Sequence, residues 1–193
     1  AETFRVDLEL RAAKAPVVHG VKGVSQKSAG AGRASHYVSL SRLATRGTVE
    51  IGGRQFTVEG LSWMDHEFFT HSLERNQAGW DWFSIQWRDG SELMLYRLRR
   101  TDGQIEPYSS GTWVDAAGRG VHLTSEQFAL EPGKEVWKSP RTGATYPLRW
   151  TLRIPALGIE AVATTPLRNQ ELAGRSQASP AYWEGVIDVQ GTR

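Results

Sequence analysis

The 193-residue chain carries 39% hydrophobic and 23% charged residues, proportions ordinary for a globular protein. Its net charge is only +2, and basic residues are interspersed with acidic ones. This argues against nucleic-acid binding, which needs a concentrated basic face. The absence of cysteine excludes disulfides and thiolate chemistry. No apolar run approaches the roughly 20 residues of a membrane span, and no N-terminal segment has the pattern of a signal peptide.

Period-2 patterns and turn dipeptides dominate the chain and predict an all-β protein. We expect an antiparallel barrel or sandwich with few or no long helices. The predicted elements, in chain order, are a Gly/Ser-rich connection at 22–35, two strands within 48–58 joined by Gly52-Gly53, a hairpin over 80–100 turning at Asp89-Gly90, strands at 119–130, 148–154, 158–164 and 182–189, and a loop at 174–180.

The stretch "SWMDHEFFTH" at 62–71 is the densest run of reactive side chains, and its first possible meaning is a metal site. A zinc protease motif needs two histidines four residues apart on a helix, so that both fall on one face. His66 and His71 are five apart. On a helix that spacing separates them by about 140°, and on a strand it sends them to opposite faces. The spacing therefore predicts no metal site.

As a strand, the same stretch separates into two faces by alternation. One face carries Trp63, Asp65, Glu67, Phe69 and His71, and the other carries Met64, His66 and Phe68. Two carboxylates beside a tryptophan are suited to general acid–base work, because desolvation and a neighbouring like charge raise a carboxyl pKa. The alternative is that Asp65 and Glu67 form ion pairs with arginines such as Arg97 and Arg99.

The hairpin at 80–100 is predicted to supply a second aromatic face. With a two-residue loop at Asp89-Gly90, Trp82 pairs with Arg97 across the two strands. Alternation then predicts a core face and a mixed face typical of a small-molecule pocket. The core face collects Phe83, Ile85, Trp87, Met94, Tyr96 and Leu98; the pocket face collects Trp80, Trp82, Ser84, Gln86, Leu93, Leu95, Arg97 and Arg99. The alternative is a half-exposed sheet surface on which Arg97 stacks against Trp82.

A further acidic candidate is Glu184 in the late segment "YWEGVIDV". It alternates with Tyr182, so both would share a face of the predicted strand. Taken from the sequence alone, a solvated strand face explains the pattern as readily as a site does.

Several motifs together resemble the family of AttH-type lipocalin-like proteins, often labelled predicted secreted hydrolases. The matching pieces are "HGVKG" at 19–23, "ASHYVSLSRL" at 34–43, W-M-D-H-E at 63–67, "GWDWFSIQ" at 79–86, "LMLYRLR" at 93–99 and "YWEGVIDVQG" at 182–191. They come in family order and cover most of the chain. That family is similar to the bacterial carotenoid 1,2-hydratases and, more distantly, to fungal kievitone hydratase-like proteins.

The resemblance implies a pair of β-rich, lipocalin-like domains around an apolar cavity. In the hydratases, water adds across an isolated alkene, with acidic and aromatic side chains supporting a carbocation-like path without a cofactor. The positions that match are Trp63, Asp65, His66 and Glu67, together with Trp82 and Arg97 of the hairpin. Tyr182 and Glu184 match a late strand. A periplasmic or secreted location is favoured by the same resemblance.

The chain departs from the family pattern at His66, where many members carry Arg, and at Phe68-Phe69, where Trp-Gly is common. The resemblance also implies that residues 1–193 correspond to the central and C-terminal part of a two-domain protein. Residues 1–45 would then end the preceding domain, and residues 46–193 would form the main barrel. A second copy of the chain or a companion domain is the macromolecular partner this arrangement suggests.

Two functions follow as hypotheses. The first is a cofactor-independent enzyme acting by acid–base chemistry, of the hydration, lyase or hydrolase type, on a hydrophobic isoprenoid- or polyketide-like molecule. Asp65, Glu67 and His66 would be its catalytic group, and Trp63, Trp82, Gln86, Arg97, Tyr182 and Glu184 would contact the ligand. The second is a non-catalytic carrier for a hydrophobic ligand, because a fold does not fix a function.

Overall fold

A computed structural model describes residues 3–69, 73–172 and 181–192. His71 and the predicted loop at 174–180 lie outside the described residues. The chain forms two compact units, Ala1–Ser125 and Glu126–Arg193. The predicted boundary between 45 and 46 falls inside one long strand, Ala34–Ile51.

The first unit contains two antiparallel sheets. In the first sheet the long strand β4 lies at the centre and pairs with β1, β2, β3 and β5. In the second, the strand order is β6-β7-β8-β9. The strands are β1 (Phe4–Ala12), β2 (Val17–Val18), β3 (Ser25–Gln26), β4 (Ala34–Ile51), β5 (Arg54–Phe69), β6 (Gln77–Gln86), β7 (Glu92–Arg100), β8 (Ser110–Val114) and β9 (Gly120–Thr124), followed by a 3₁₀ turn at Ser125–Gln127.

The second unit has one four-stranded sheet, in the order β10-β13-β14-β17, and two short two-stranded ladders, β11-β12 and β15-β16. The elements are β10 (Ala129–Pro132), β11 (Val136–Lys138), β12 (Thr145–Pro147), β13 (Arg149–Ile154), a 3₁₀ turn at Pro155–Leu157, β14 (Ile159–Thr164), β15 (Glu171–Leu172), β16 (Tyr182–Trp183) and β17 (Asp188–Thr192).

The all-β prediction is confirmed, and the architecture is a sandwich. Within the described residues the sheets do not close into a barrel. In the first unit the two sheets meet through a core in which Tyr37 of β4 packs with Met94, Tyr96 and Leu98 of β7. Trp63 and Trp82 pack against this core from β5 and β6. The alternation of β4 explains the contact, since Tyr37, Ser39 and Ser41 are buried at every second position.

The β6–β7 hairpin turns where predicted, but with a three-residue loop instead of two. Trp87 N–H donates to the carbonyl of Ser91 at 2.9 Å, and Gly90 takes a left-handed conformation with φ of 84°. This is the longer loop in which a turn is closed by a glycine in the αL region. The extra residue shifts the register by one, so Trp82 pairs with Tyr96, and Arg97 pairs with Asp81.

The predicted faces of this hairpin are therefore wrong, because a one-residue slip exchanges the faces of one strand relative to the other. Trp82, Ser84 and Gln86 share a side with Glu92, Met94, Tyr96 and Leu98, whereas Phe83 and Ile85 share a side with Leu93, Leu95 and Arg97. The side holding Trp82, Met94 and Tyr96 is the one that meets β4. Arg97 points away from it, which also rules out the predicted stacking on Trp82.

We expect Gly90→Ala to lower the free energy of unfolding by about 1 kcal/mol, because a Cβ is strained at positive φ. Gly60→Ala is the matched control, since the Cβ built there meets nothing within 4 Å and its φ lies outside the left-handed region. Urea unfolding followed by tryptophan fluorescence measures both. Equal midpoints for the two variants would contradict this account of the loop.

β4 has a bulge between Leu40 and Leu43, and a side chain of the second sheet bonds the backbone beside it. The amide of Gln86 donates to the carbonyls of Ser41 at 2.7 Å and Ser62 at 3.1 Å, which satisfies backbone acceptors near the irregularity. The carboxylate of Glu92 is completely buried and pairs with Lys14 at 2.7 Å and with Arg42. Buried charges are tolerated when they are paired in this way, so this cluster serves structure.

Candidate functional site

The face of β5 that carries the candidate site has the composition expected from the sequence. Asp65 stands directly opposite Ser39 of β4, and Glu67 stands directly opposite Tyr37. Trp63 lies two residues before Asp65 and therefore on the same side. His66 lies on the other side, where its ring meets that of Phe68 at 5.0 Å between centroids. The structure thus brings Trp63, Asp65 and Glu67 together and separates His66 from them.

The carboxylate of Asp65 accepts hydrogen bonds from two neighbouring strands, β5 and β4. One carboxylate oxygen, Oδ1, accepts from the indole N–H of Trp63 at 2.8 Å and from the hydroxyl of Ser39. Ser39 is fully buried, whereas Asp65 is exposed. The carboxylate therefore has a fixed inner side and an accessible outer side, the arrangement a proton-transferring group requires.

Tyr37 is a buried phenol between Asp65 and the second sheet. Its hydroxyl accepts a hydrogen bond from the indole N–H of Trp82 at 3.0 Å. Burial raises the pKa of Tyr37 well above its ordinary value, and the negative charge of Asp65 raises it further. Tyr37 therefore stays a neutral phenol across the physiological range and supplies an aromatic face beside the carboxylate.

His19 is buried and contacts two residues of the site, Ser39 and Tyr37. Its Nε2 lies 2.7 Å from the Ser39 hydroxyl, its Nδ1 lies 2.8 Å from the Thr112 hydroxyl, and its ring is 4.5 Å from that of Tyr37. Burial lowers the pKa of His19 to about 4, with smaller contributions from the charges of Lys27 and His122. His19 is thus a neutral imidazole at neutral pH.

Because His19 is neutral, one of its ring nitrogens carries a hydrogen and donates, and the other accepts. Ser39 donates its proton to Asp65, so its oxygen accepts from His19, which fixes the His19 hydrogen on Nε2. A serine nucleophile needs the opposite arrangement, with the hydroxyl donating to the imidazole. Ser39 and His19 therefore position Asp65 and do not form a serine-hydrolase pair.

Glu67 has a different environment from Asp65. Its Oε1 accepts from the Ser35 hydroxyl at 2.5 Å and pairs with the ammonium of Lys27 at 2.9 Å. That ammonium lies 3.7 Å from the ring centroid of Tyr96 and 5.5 Å from that of Tyr37. The alternative in which both carboxylates pair with Arg97 and Arg99 is thus wrong: Glu67 pairs with Lys27, and Arg97 pairs with Asp81 at 2.7 Å.

The remaining predicted ligand contacts fall in different places. Trp82 is linked to the site by its hydrogen bond to the Tyr37 hydroxyl. The side-chain amide of Gln86 instead donates to the Ser41 carbonyl at the β4 bulge. Tyr182 and Glu184 belong to the second unit. There Tyr182 pairs with Leu172, and the backbone N–H of Glu184 donates to Gln170. Their contact with a ligand stays a prediction.

Sequence reasoning missed His19, Ser39, Tyr37 and Lys27. The first lies in "HGVKG", where Gly20 has φ of 78° and an added Cβ would meet the carbonyl oxygen of Val24 at 2.1 Å. A glycine is required where another part of the backbone comes this close, which marks a tight turn. The glycine that follows His19 was therefore the signal available in the sequence. Ser39 and Tyr37 occupy buried alternate positions of β4, and burial of polar residues can be seen only in the fold.

On the outer side of Asp65, the described residues leave the carboxylate open to solvent. The enclosed apolar cavity stays a prediction. An open depression of about 560 Å³ lies on the first sheet, lined by residues of β1, β4 and β5, including Glu9, Arg46 and Leu61. None of the predicted site residues lines it. Among residues 3–69, 73–172 and 181–192, no three acidic or histidine side chains are placed to bind a metal ion.

In the part of the chain that the structure describes, no helix has the length and apolar character needed to cross a membrane. The expected contact with a hydrophobic ligand and the expected oligomer or companion domain stay predictions.

Comparison with known proteins agrees with the fold. A structure of an AttH protein from Nitrosomonas europaea superposes with a TM-score of 0.89 at 32% identity, over 99% of this chain and 58% of that one. Kievitone hydratase from Nectria haematococca superposes with a TM-score of 0.76 at 20% identity, over 99% of this chain and 56% of that one. The second likeness shows the fold alone.

A dehydratase of Emericella nidulans, asqC, is 23% identical in an alignment 192 residues long that covers 96% of this chain and 53% of the dehydratase. The chain thus spans somewhat more than half the length of each of these relatives. The AttH-like family profile matches residues 1–193, the whole sequence given. Together with the W-M-D-H-E strand and the sandwich around Tyr37, this match shows that the chain belongs to the AttH-like family.

Proposed function

We propose that the chain carries a hydratase- or dehydratase-type site in which Asp65 transfers the proton. The observation that carries the proposal is the placement of the Asp65 carboxylate, fixed on its inner side by Ser39 and Trp63 and accessible on its outer side. The names of two relatives, a dehydratase and a hydratase, support this reaction class.

In the hydration direction, protonated Asp65 gives its proton to one carbon of an alkene, and the other carbon becomes electron-poor. A water molecule adds to that carbon through its oxygen and returns a proton to the Asp65 carboxylate, so alkene plus water gives an alcohol. Dehydration is the reverse. The half-buried rings of Trp63, which bonds Asp65, and Trp82, which bonds Tyr37, supply π faces, and such faces stabilise positive charge. The proposed substrate is an apolar isoprenoid- or polyketide-like molecule.

The proposal gives the other predicted catalytic residues lesser roles. Glu67 is the counter-ion of Lys27 and accepts from Ser35, so its contacts hold neighbouring side chains in place. His66 faces away from Asp65 and takes no part in proton transfer.

The test is incorporation of oxygen from water. The protein is incubated in H₂¹⁸O with geranylacetone, a soluble isoprenoid ketone with two alkenes, and products are read by mass spectrometry. We expect an alcohol about 20 Da heavier than the alkene, against about 18 Da in ordinary water. Binding of geranylacetone without any such product would instead favour the second candidate, a carrier. The departures at His66 and Phe68-Phe69 are the observation that favours that alternative.

A further inference from the structure

A lysine that the sequence did not single out stands at the centre of the aromatic cluster. The ammonium of Lys27 lies over the ring of Tyr96 at 3.7 Å from its centroid and at 5.5 Å from the centroid of Tyr37. Its side chain is 24% exposed, so the charged group is not sealed off from solvent. A cation thus already occupies the π faces of Tyr96 and Tyr37.

The backbone around Lys27 is built to hold it there. Its N–H donates to the carbonyl of Arg33 at 2.9 Å, and its carbonyl accepts from the side chain of buried Gln77 at 2.9 Å. The ring of Tyr96 below it is fixed in turn, because its hydroxyl bonds the hydroxyls of Ser25 at 3.0 Å and Ser110 at 2.9 Å. The position of the ammonium therefore follows from several independent contacts.

An ammonium carries three N–H donors. It can bind Glu67 and a second oxygen acceptor at the same time. Tyr37 connects the two groups, since the Lys27 ammonium lies over its ring at 5.5 Å from the centroid and its hydroxyl interacts with Asp65. Lys27 and Asp65 therefore both lie beside Tyr37.

We propose that Lys27 recognises an oxygen acceptor of the substrate, a carbonyl or phenolic oxygen, while the reacting carbons lie at Asp65. The inference rests on the proposed function and narrows its substrate class to oxygenated apolar molecules, as distinct from pure hydrocarbons.

The test uses two probes that differ only in the oxygen: geranylacetone and 2,6-dimethylundeca-2,6-diene, the hydrocarbon of the same skeleton. Both are titrated against the protein while tryptophan fluorescence is followed. Because a hydrogen bond to a charged group is worth about tenfold or more in affinity, we expect the ketone to bind at least about tenfold more tightly than the hydrocarbon.

Lys27→Met removes the charge and keeps the length, and we expect it to abolish this preference while hydrocarbon affinity stays the same. Lys22→Met removes an exposed lysine of the same segment and should keep the preference, as should Lys27→Arg, which retains a cation. Equal affinity of the natural chain for both probes, or binding of neither, overturns the inference. So does a Lys27→Met variant that weakens both probes equally, which would mark Lys27 as an anchor of its loop.

Failure of the inference is distinguishable from failure of the proposed function. The preference is a binding measurement and is repeated in Asp65→Asn, in which it should persist. If turnover survives Asp65→Asn while the ketone preference holds, the proposed function is wrong and the assignment of Lys27 stands. If turnover depends on Asp65 but the ketone binds no more tightly than the hydrocarbon, the proposed function stands and the assignment of Lys27 is wrong.

Discussion

We expect Asp65→Asn to lower the rate of alkene hydration by about 10²- to 10⁴-fold, the range usual for loss of a general acid–base group. Asparagine has the same shape, and its amide oxygen can still accept from Ser39 and Trp63, but the amide cannot exchange a proton with the substrate. The change should therefore act on kcat more than on ligand affinity, which separates proton transfer from binding. The measurement is the isotope-labelled product assay, run under single-turnover conditions.

Asp7→Asn is the matched control for this substitution, because Asp7 is an exposed aspartate on β1 of the same sheet. Its rate should equal that of the natural chain. Glu67→Gln should lower the rate less than Asp65→Asn, since Glu67 is engaged with Lys27. Retention of turnover within about threefold in Asp65→Asn would falsify the assignment of Asp65 as the proton-transferring group.

The second large effect is a dependence of stability on pH that originates at His19. Burial lowers the pKa of His19 to about 4, against 6.5 for the unperturbed group. Between those values the unfolded chain binds a proton that the folded chain does not, so the free energy of unfolding falls as the pH is lowered. The pKa difference corresponds to about 3 kcal/mol lost between pH 6.5 and 4.

Urea unfolding at pH 7.5, 6.5, 5.5 and 4.5 measures this contribution. Carboxylates titrate at the low end of the range, so the informative quantity is the difference between the natural chain and His19→Gln. We expect that difference to shrink by about 2.5 kcal/mol between pH 7.5 and 4.5, because glutamine binds no proton. His66→Gln is the matched control for loss of an imidazole. A difference that stays constant with pH would contradict a buried neutral His19.

The sequence determined the all-β class and one face of the candidate site. It did not determine every strand: the segments 119–130 and 182–189, each predicted as one strand, are interrupted by a 3₁₀ turn at Ser125–Gln127 and by residues 184–187. Alternation along 62–69 was enough to place Trp63, Asp65 and Glu67 together and His66 apart, because a strand has only two faces. The turn glycines at Gly52-Gly53 and Gly90 located two hairpins correctly.

Only the tertiary structure decided which groups join that face. The Asp89-Gly90 dipeptide is compatible with loops of two or three residues, and the extra residue exchanged the faces assigned to the hairpin and moved Arg97 away from Trp82. His19, Lys27 and Ser39 come from separate segments. The contacts of Ser39 with Asp65, of His19 with Ser39 and of Lys27 with Glu67 join residues far apart in the sequence. Local patterns constrain periodicity, whereas burial and long-range pairing decide which polar groups meet.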